Sequence, residues 1–353
     1  MRKILIEHAK EGDIVARNIF ASNGSILLSA GVKLTYKYIE KLQELGIYDI
    51  YIEDDLSKDV VIEDVIGEET RIEARKFMAE TMEKIKLNKT VNAYEAMRIV
   101  DNIMDDILAN QDVMISLTDI RSVNDYTFAH SVNVCVLSLI LGTSLGYDHL
   151  RLRELGVGAL LHDIGKNMIP NDIINKPGPL TPEEFELVKK HTTFGFDILK
   201  GNAGISSLTA YVALAHHERY DGTGYPRGIK GDDIHEFARI VSVADVFDAI
   251  TSNRPYKKRE NPHVAVEYLI SMEGHQFDPA MVPKLLERIA VYPVGSTVKL
   301  SDGTIGLVVE VNRYMPTRPK VKPIYDCRGD KMNDGKTVDL MNEPSLFIVE
   351  DMG

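Results

Sequence analysis

The stretch Gly158-Ala-Leu-Leu-His162-Asp163-Ile-Gly-Lys166 ends an apolar helix in a histidine and an aspartate side by side. Leu150, Leu152, Leu155, Val157, Leu160, Leu161 and Ile164 surround that helix instead of forming one stripe, which is the pattern of a buried element. A carboxylate buried there without a partner is costly, and Lys166 is its one neighbouring cation in sequence. A divalent metal satisfies imidazole and carboxylate together, and a helix end carrying a hydrogen-bonded histidine is the competing explanation. The dipeptide alone does not choose between them. A second signal is the tandem His216-His217 at the end of a helix expected over Ser207 to Glu218. Adjacent helical residues project about 100° apart, so one ion is poorly placed to use both rings, whereas two neighbouring ions can each take one. The loop Arg219-Tyr-Asp-Gly-Thr-Gly-Tyr-Pro226 follows directly, with turn-forming Gly222 and Gly224 and a proline that prevents the helix from resuming. It is well placed to cover a ligand, although a plain helix stop reads the same way without the histidines.

These residues need elements to position them, and from about Leu117 to Ala290 the chain reads as nearly all helix. His130 sits among Phe128, Val132, Cys135, Val136, Leu139 and Ile140 on a helix expected over Asp125 to Leu145, where a lone histidine is by itself a core residue. Thr181 as N-cap, Pro182 and Glu184 open a helix that carries Val188, His191, Gly195 and Ile198 at spacings of three and four. His191 therefore faces inward, and Gly195 one turn later permits a close approach. On the helix expected over Ile234 to Asn253, Asp245 and Asp248 share one edge, and two carboxylates in an apolar helix want cations. The basic run Asn253-Arg-Pro-Tyr-Lys-Lys-Arg259 comes next. It reads either as a solvated helix end or as a clamp for phosphate oxygens, with Arg254 offering a bidentate fork.

The flanks read differently. Residues 1–55 form a small mixed α/β domain, with short β-like runs around Ser22-Asn-Gly24, a helix from Thr35 to Leu45 closed by Gly46, and a strand over Tyr48 to Ile52. Residues 56–116 read as a helical connector, Glu69 to Lys86 and Asn92 to Asn110, free enough to transmit a signal or to pair in a homodimer. Residues 291–353 read as a β-rich unit packed on the helical domain. It contains a hairpin about Gly303 and strands near Lys320 to Tyr325 and Ser345 to Val349.

Composition narrows the classes. A hydrophobic content of 44% and a charged content of 27% are those of an ordinary globular protein. Cys135 and Cys327 are the only cysteines and lie far apart, so free thiols and a reducing compartment are expected. No apolar run reaches the ~18–20 residues that span a bilayer, and Met1 to His8 lack the apolar core of a signal peptide. A cytoplasmic protein is the expectation. The net charge of −12 argues against binding to DNA or to an anionic membrane, and an anionic substrate needs a local basic pocket.

Taken together, His162-Asp163-Ile-Gly-Lys166, His191, the run His216 to Pro226, and Ala244-Asp245-Val-Phe-Asp248 with Arg254 and Lys257 resemble the HD-GYP subgroup of the HD metal-dependent phosphohydrolases. The resemblance covers about residues 117–290 and implies a multidomain protein with an all-α HD-type catalytic domain between the two flanks. It implies metal ligation by His130, His162, Asp163, His191, His216, His217 and Asp245, with Asp163 bridging two divalent cations, iron first and manganese next. Catalysis is then expected from Asp163 and Lys166, the lysine binding a phosphate oxygen, while Arg254, Lys257 and Tyr225 contact substrate. The implied reaction is hydrolysis of cyclic di-GMP to linear pGpG, with further cleavage to GMP left open, by hydroxide activated between the two cations. Another cyclic nucleotide such as cyclic GMP-AMP, or a receptor without useful turnover, are the alternatives. Retention of every ligand position weighs against the receptor. Some members carry a glutamate one turn before the equivalent of His130 that helps to hold a third ion. Tyr126 stands there in this chain, and a neutral phenol with a pKa of about 10 is a poor ligand. Asp125 projects about 100° away from the His130 face and reaches the site only if the helix begins later than Asp125, so two ions are expected.

Overall fold

The computed structural model describes the chain apart from residues 22–24, 88–89, 111–113, 116–125, 253–259, 333–334 and 353, together with the side chains of Tyr126 and Thr127. The expected turn at Ser22-Asn-Gly24, the residue Asp125, the side chain of Tyr126 and the substrate contacts Arg254 and Lys257 lie outside the described residues.

The N-terminal unit contains β1 (Arg2–Leu5), β2 (Ile14–Val15), β3 (Ile19–Phe20), β4 (Ile26–Leu28), α1 (Tyr36–Glu44) and β5 (Asp49–Glu53). Strand β5 is central in an antiparallel sheet ordered β1-β5-β2. The Thr35 hydroxyl accepts from the Tyr38 amide to cap α1, whose Ile39 and Leu42 close a small core with Ile4, Val15, Ile50 and Ile52. The helical body then runs through α2 (Glu68–Lys86), α3 (Ala93–Ala109), α4 (Tyr126–Ser144), α5 (His149–Leu161), the short α6 (Asn171–Ile174), α7 (Pro182–Lys189), α8 (His191–Lys200), α9 (Ser207–Ala215), α10 (Glu236–Thr251), α11 (Pro262–Ser271) and α12 (Met281–Leu286). The C-terminal sheet is antiparallel, ordered β10-β6-β7-β8-β9, from β6 (Thr297–Leu300), β7 (Ile305–Glu310), β8 (Lys320–Tyr325), β9 (Val338–Asp339) and β10 (Ile348–Asp351). Among the described residues no helix is long and apolar enough to cross a membrane.

The helices read as a connector are part of the core. Phe77, Met78 and Met82 of α2 and Ile99, Ile103 and Met104 of α3 join one cluster with Val132, Leu139, Leu155 and Leu160. Helix α4 explains why. It is apolar on every side, so it needs cover from several neighbours, and α2, α3, α5, α10 and α12 all pack on it. The apolar faces of α2 and α3 are thus covered within the chain. The C-terminal sheet, expected against the helical body, shares its core with the N-terminal unit: Leu307 and Ile324 pack with Tyr51, Val60 and Ile62. The Lys3 amide also donates to the Gly295 carbonyl at 3.1 Å.

The helix expected to run from Thr181 past His191 is two helices. Thr181 and Glu184 form the expected capping box at the start of α7, but the ladder breaks at Lys190. His191 Nδ1 bonds the Val188 carbonyl, and the hydroxyls of Thr192 and Thr193 donate to the carbonyls of Lys189 and Lys190. His191 and Thr192 thus take the carbonyls of Val188 and Lys189, which a continuous helix would offer to the amides of Thr192 and Thr193, whereas Lys190 O still accepts from the Phe194 amide at 2.9 Å. Such local bonds compete with the backbone ladder. A turn over Ile164–Met168 is held against α8 by glycine. A Cβ on Gly165 would lie 2.0 Å from the His191 carbonyl oxygen and 2.4 Å from the Gly195 nitrogen, both backbone atoms. Gly165→Ala must therefore push α8 from the turn that carries Asp163. Thermal unfolding of that variant should show a loss of about 1–3 kcal/mol or more, the usual cost of overpacking, and a midpoint equal to that of the parent would contradict the close approach.

Candidate metal centre

Six elements of the helical body aim imidazoles and carboxylates at one buried space. His130 comes from α4, His162 caps α5, Asp163 begins the turn after it, His191 opens α8, His216 caps α9, and Asp245 lies on α10. All six are buried. Three overlapping groups have ligand atoms within 4.8 Å of one another: His191, His216 and His217; His130, His162 and Asp245; and His162, Asp163 and His216. The seven residues expected as ligands are all brought together.

The tandem pair behaves differently from the expectation. Helix α9 ends at Ala215, with the His216 amide still bonded to the Val212 carbonyl at 3.0 Å, and the rings of His216 and His217 lie side by side, centroids 4.1 Å apart and tilted by 44°. Both face the same centre, and the argument that one ion cannot reach both rings does not hold here. What still favours neighbouring ions is the overlap of the three groups, which share His162 and His216.

Backbone carbonyls fix the orientation of the rings. His162 Nδ1 bonds Ala159 O at 2.7 Å, His191 Nδ1 bonds Val188 O at 2.6 Å, and His216 Nδ1 bonds Ala213 O at 3.0 Å. A carbonyl only accepts, so each Nδ1 carries the proton and each Nε2 presents a lone pair. Those Nε2 atoms meet Asp163, at 3.3 Å for His162, 3.5 Å for His191 and 3.8 Å for His216. Lone pairs facing a carboxylate repel unless a cation stands among them. His162 Nε2 and Asp163 Oδ1 are buried and make no hydrogen bond, so the donor set fits a divalent metal.

The charges follow. Burial pushes the Asp163 carboxyl up, but the Lys166 ammonium beside it outweighs burial and holds it well below the usual carboxylate range. Asp245 behaves alike: burial opposes ionisation, and the bond from His130 overcomes it. Burial drives His191 down and His216 well down, and brings His217 to about 3. These rings are neutral at physiological pH, as ligation requires. Burial also works against the charged form of His130, yet its bonds to Asp245 and Asp248 raise it overall.

Asp248 has a role the sequence left open. Its Oδ2 bonds His130 Nδ1 at 2.7 Å, while its Oδ1 accepts from Asn133 Nδ2 at 2.6 Å and from the Ser252 hydroxyl at 3.1 Å. It orients His130 from behind, so that His130 Nε2 faces Asp245 Oδ1 at 3.0 Å. Asn133 was not among the expected residues, although its position one turn after His130 on α4 was visible. On the open side, Lys166 donates to Asp163, and the Tyr225 ring stacks on His217 at 4.8 Å. Phe185 of α7, also not among the expected residues, meets Tyr225 edge to face at 6.3 Å while remaining 46% exposed. Lys189 Nζ lies over both rings. The covering loop is pinned from below: Glu218 accepts from the Arg227 amide at 2.7 Å, and a Cβ on Gly224 would lie 2.5 Å from the His217 carbonyl oxygen.

Comparison with known proteins agrees with this geometry. The family described as HD domain matches residues 102–281, about half of the chain, and a KOW domain associated with HD domain matches residues 297–352. The chain belongs to the HD domain family, and its motifs place it in the HD-GYP subgroup. It is 38% identical over 255 residues to the cyclic di-GMP phosphodiesterase PA4108 of Pseudomonas aeruginosa, covering 72% of this chain and 61% of that protein. It is 45% identical over 162 residues to a cyclic di-GMP phosphodiesterase of Thermotoga maritima, covering 46% of this chain and 44% of that protein. The chain therefore spans less than two thirds of either relative. A solved structure of Bd1817, an HDG"Y"P protein from Bdellovibrio bacteriovorus, shares the fold at 20% identity, with a TM-score of 0.51 over 80% of this chain and 97% of that one.

Asp248→Asn tests the orienting role. An amide cannot accept from His130 and Asn133 while also placing its own NH2, so the His130 ring loses its support. Metal affinity, measured by competition with a chelator, should fall by about 10–100-fold, the usual cost of losing such a partner, with the fold retained. Unchanged affinity would show that His130 is held without it.

Proposed function

We propose that the chain is a metal-dependent phosphodiesterase that hydrolyses cyclic di-GMP to linear pGpG, the further cleavage to GMP being read from the product assay below. The observation that carries this reading is the convergence of three imidazole lone pairs on one buried, ionised carboxylate, Asp163. His130, His162, Asp163 and Asp245 would hold one cation, and His191, His216, His217 and Asp163 a second, iron first and manganese next, since imidazole with carboxylate suits either. When bound, such a pair supplies Lewis acidity and a water acidic enough to ionise near neutral pH. The similarity to phosphodiesterases named for cyclic di-GMP supports the substrate. Tyr126 in place of a carboxylate supports two ions over three. A reducing cytoplasm suits the free thiols of Cys135 and Cys327.

The remaining roles belong to side chains. Asp163 and Asp245 bring negative charge to the cations, and the carbonyl-bound imidazoles keep their Nε2 atoms aimed inward. Lys166, with 29% of its side chain exposed, sits where the buried carboxylate meets the solvent side, and its ammonium would bind a phosphate oxygen as charge develops. Tyr225 and Phe185 give flat faces against which guanine can stack, with Lys189 beside them. Arg254 and Lys257 would add phosphate or guanine contacts.

Metal-loaded protein incubated with cyclic di-GMP should yield pGpG on separation of the products, and GMP among them would show the further cleavage; nucleotide that co-elutes unchanged with the protein would leave a receptor instead. Lys166→Ala should keep its metal while turnover falls by about tenfold to a thousandfold, and loss of metal in that variant would make the lysine structural. Phe185→Ala should raise KM by roughly five- to a hundredfold with little change in kcat, the range expected for stacking worth about 1–3 kcal/mol per base. An unchanged KM would remove Phe185 from the substrate wall.

A further inference from the structure

The turn that carries Lys166 is fastened on two sides. Ile164–Met168 forms a 3-10 helix, in which positions three apart eclipse one another. Asp163 and Lys166 accordingly share one face, which carries their ion pair. Gly165 occupies a second face, where the lack of a Cβ lets it meet the backbone of α8. Ile164 and Asn167 share the third, toward the interior. Ile164 is fully buried in the helical core. The Asn167 side-chain amide donates to the Met82 carbonyl of α2 at 3.1 Å and reaches the Met82 sulfur as well.

The two anchors differ in kind. Gly165 permits a close approach, and among the described residues no backbone hydrogen bond joins it to α8. Asn167 supplies a directional bond to an acceptor that cannot move, because Met82 is buried at 4% exposure in the core that α2 shares with α3, α4 and α5. Helix α2 also packs on the turn itself. Lys166 stands between these anchors on a flexible stem, with 29% of its side chain exposed. Where its ammonium lies therefore depends on where the turn holds its α-carbon.

We infer that Asn167 is a positioning residue for the phosphodiester reaction: by tying the turn to α2 it holds the Lys166 ammonium beside Asp163, where a phosphate oxygen arrives. The inference rests on the role given to Lys166 under the proposed function. It makes α2, whose stretch of sequence reads as a connector, part of what sets the catalytic geometry, although α2 supplies none of the expected ligands.

The test combines steady-state kinetics with amide exchange on the metal-loaded whole chain. Asn167 is half-buried and lies outside the ligand set, so Asn167→Ala should fold and keep its metal content. Its KM for cyclic di-GMP should stay within about twofold of the parent. Its kcat should fall by about five- to a hundredfold, the range for a catalytic group displaced by roughly 1 Å. In a Lys166→Ala background the same substitution should change kcat by less than about twofold, because a group that acts only through Lys166 has nothing left to place. A merely structural asparagine would lower the rate in both backgrounds. The amides of residues 164–169 should exchange about three- to tenfold faster in Asn167→Ala, the ratio for one lost hydrogen bond, with those of α8 unchanged. An unchanged kcat, loss of metal, the full effect persisting beside Lys166→Ala, or exchange in the turn equal to the parent's would each overturn the inference. A parent that leaves cyclic di-GMP intact would remove the phosphodiesterase reading by itself, and the exchange rates would still decide whether Asn167 holds the turn.

Discussion

The structure depends on one electrostatic problem, the burial of Asp163. Its carboxylate is 1% exposed, ionised, and surrounded by ring nitrogens whose protons face the other way. Lys166 answers part of the charge on one side. Nothing among the described protein groups answers Asp163 Oδ1 or His162 Nε2 by a hydrogen bond. A fold that keeps such atoms buried gives up stability unless a cation completes them, because an unpaired buried charge costs several times what an ordinary hydrogen bond contributes. The chemistry proposed for the chain and the arrangement of its helices both follow from that requirement.

The helical body is shaped to meet it. Gly165 lets the turn bearing Asp163 press on α8, and the side chains of His191 and Thr192 take the carbonyls of Val188 and Lys189 where the ladder is interrupted at Lys190, so that His191 starts a new helix facing the site. The end of α9 at Ala215 frees two adjacent imidazoles to face one centre. Asp248 and Asn133 hold His130 from the far side. The apolar bulk of α4 and α5 makes these positions rigid, and α2 and α3 complete that bulk.

The chemistry-bearing residues were legible in the sequence because they sit in tight motifs whose types have few uses. His162-Asp163 at the end of an apolar helix already demanded a partner, and the capping box at Thr181 and the strand from Lys320 to Tyr325 stand where local rules put them. What escaped was set by tertiary contacts. Asp248 has the same local pattern as Asp245, and only the position of His130 Nδ1 separates a ligand from an orienting partner. The convergence of His216 and His217 depended on where α9 stops, and helix ends are the least certain feature of a sequence reading. Helices α2 and α3 looked like a connector because their amphipathic stripes do not say which surface covers them. Phe185 is an ordinary aromatic on α7 until Tyr225 is seen beside it.

The most direct measurement is elemental analysis of the protein purified without added metal, beside its Asp163→Ala variant. The account predicts about two equivalents of iron or manganese in the parent and loss of that metal in the variant, with hydrolysis of cyclic di-GMP lost in parallel. A metal-free parent that still hydrolyses the dinucleotide, or a variant that keeps both ions and its activity, would contradict it.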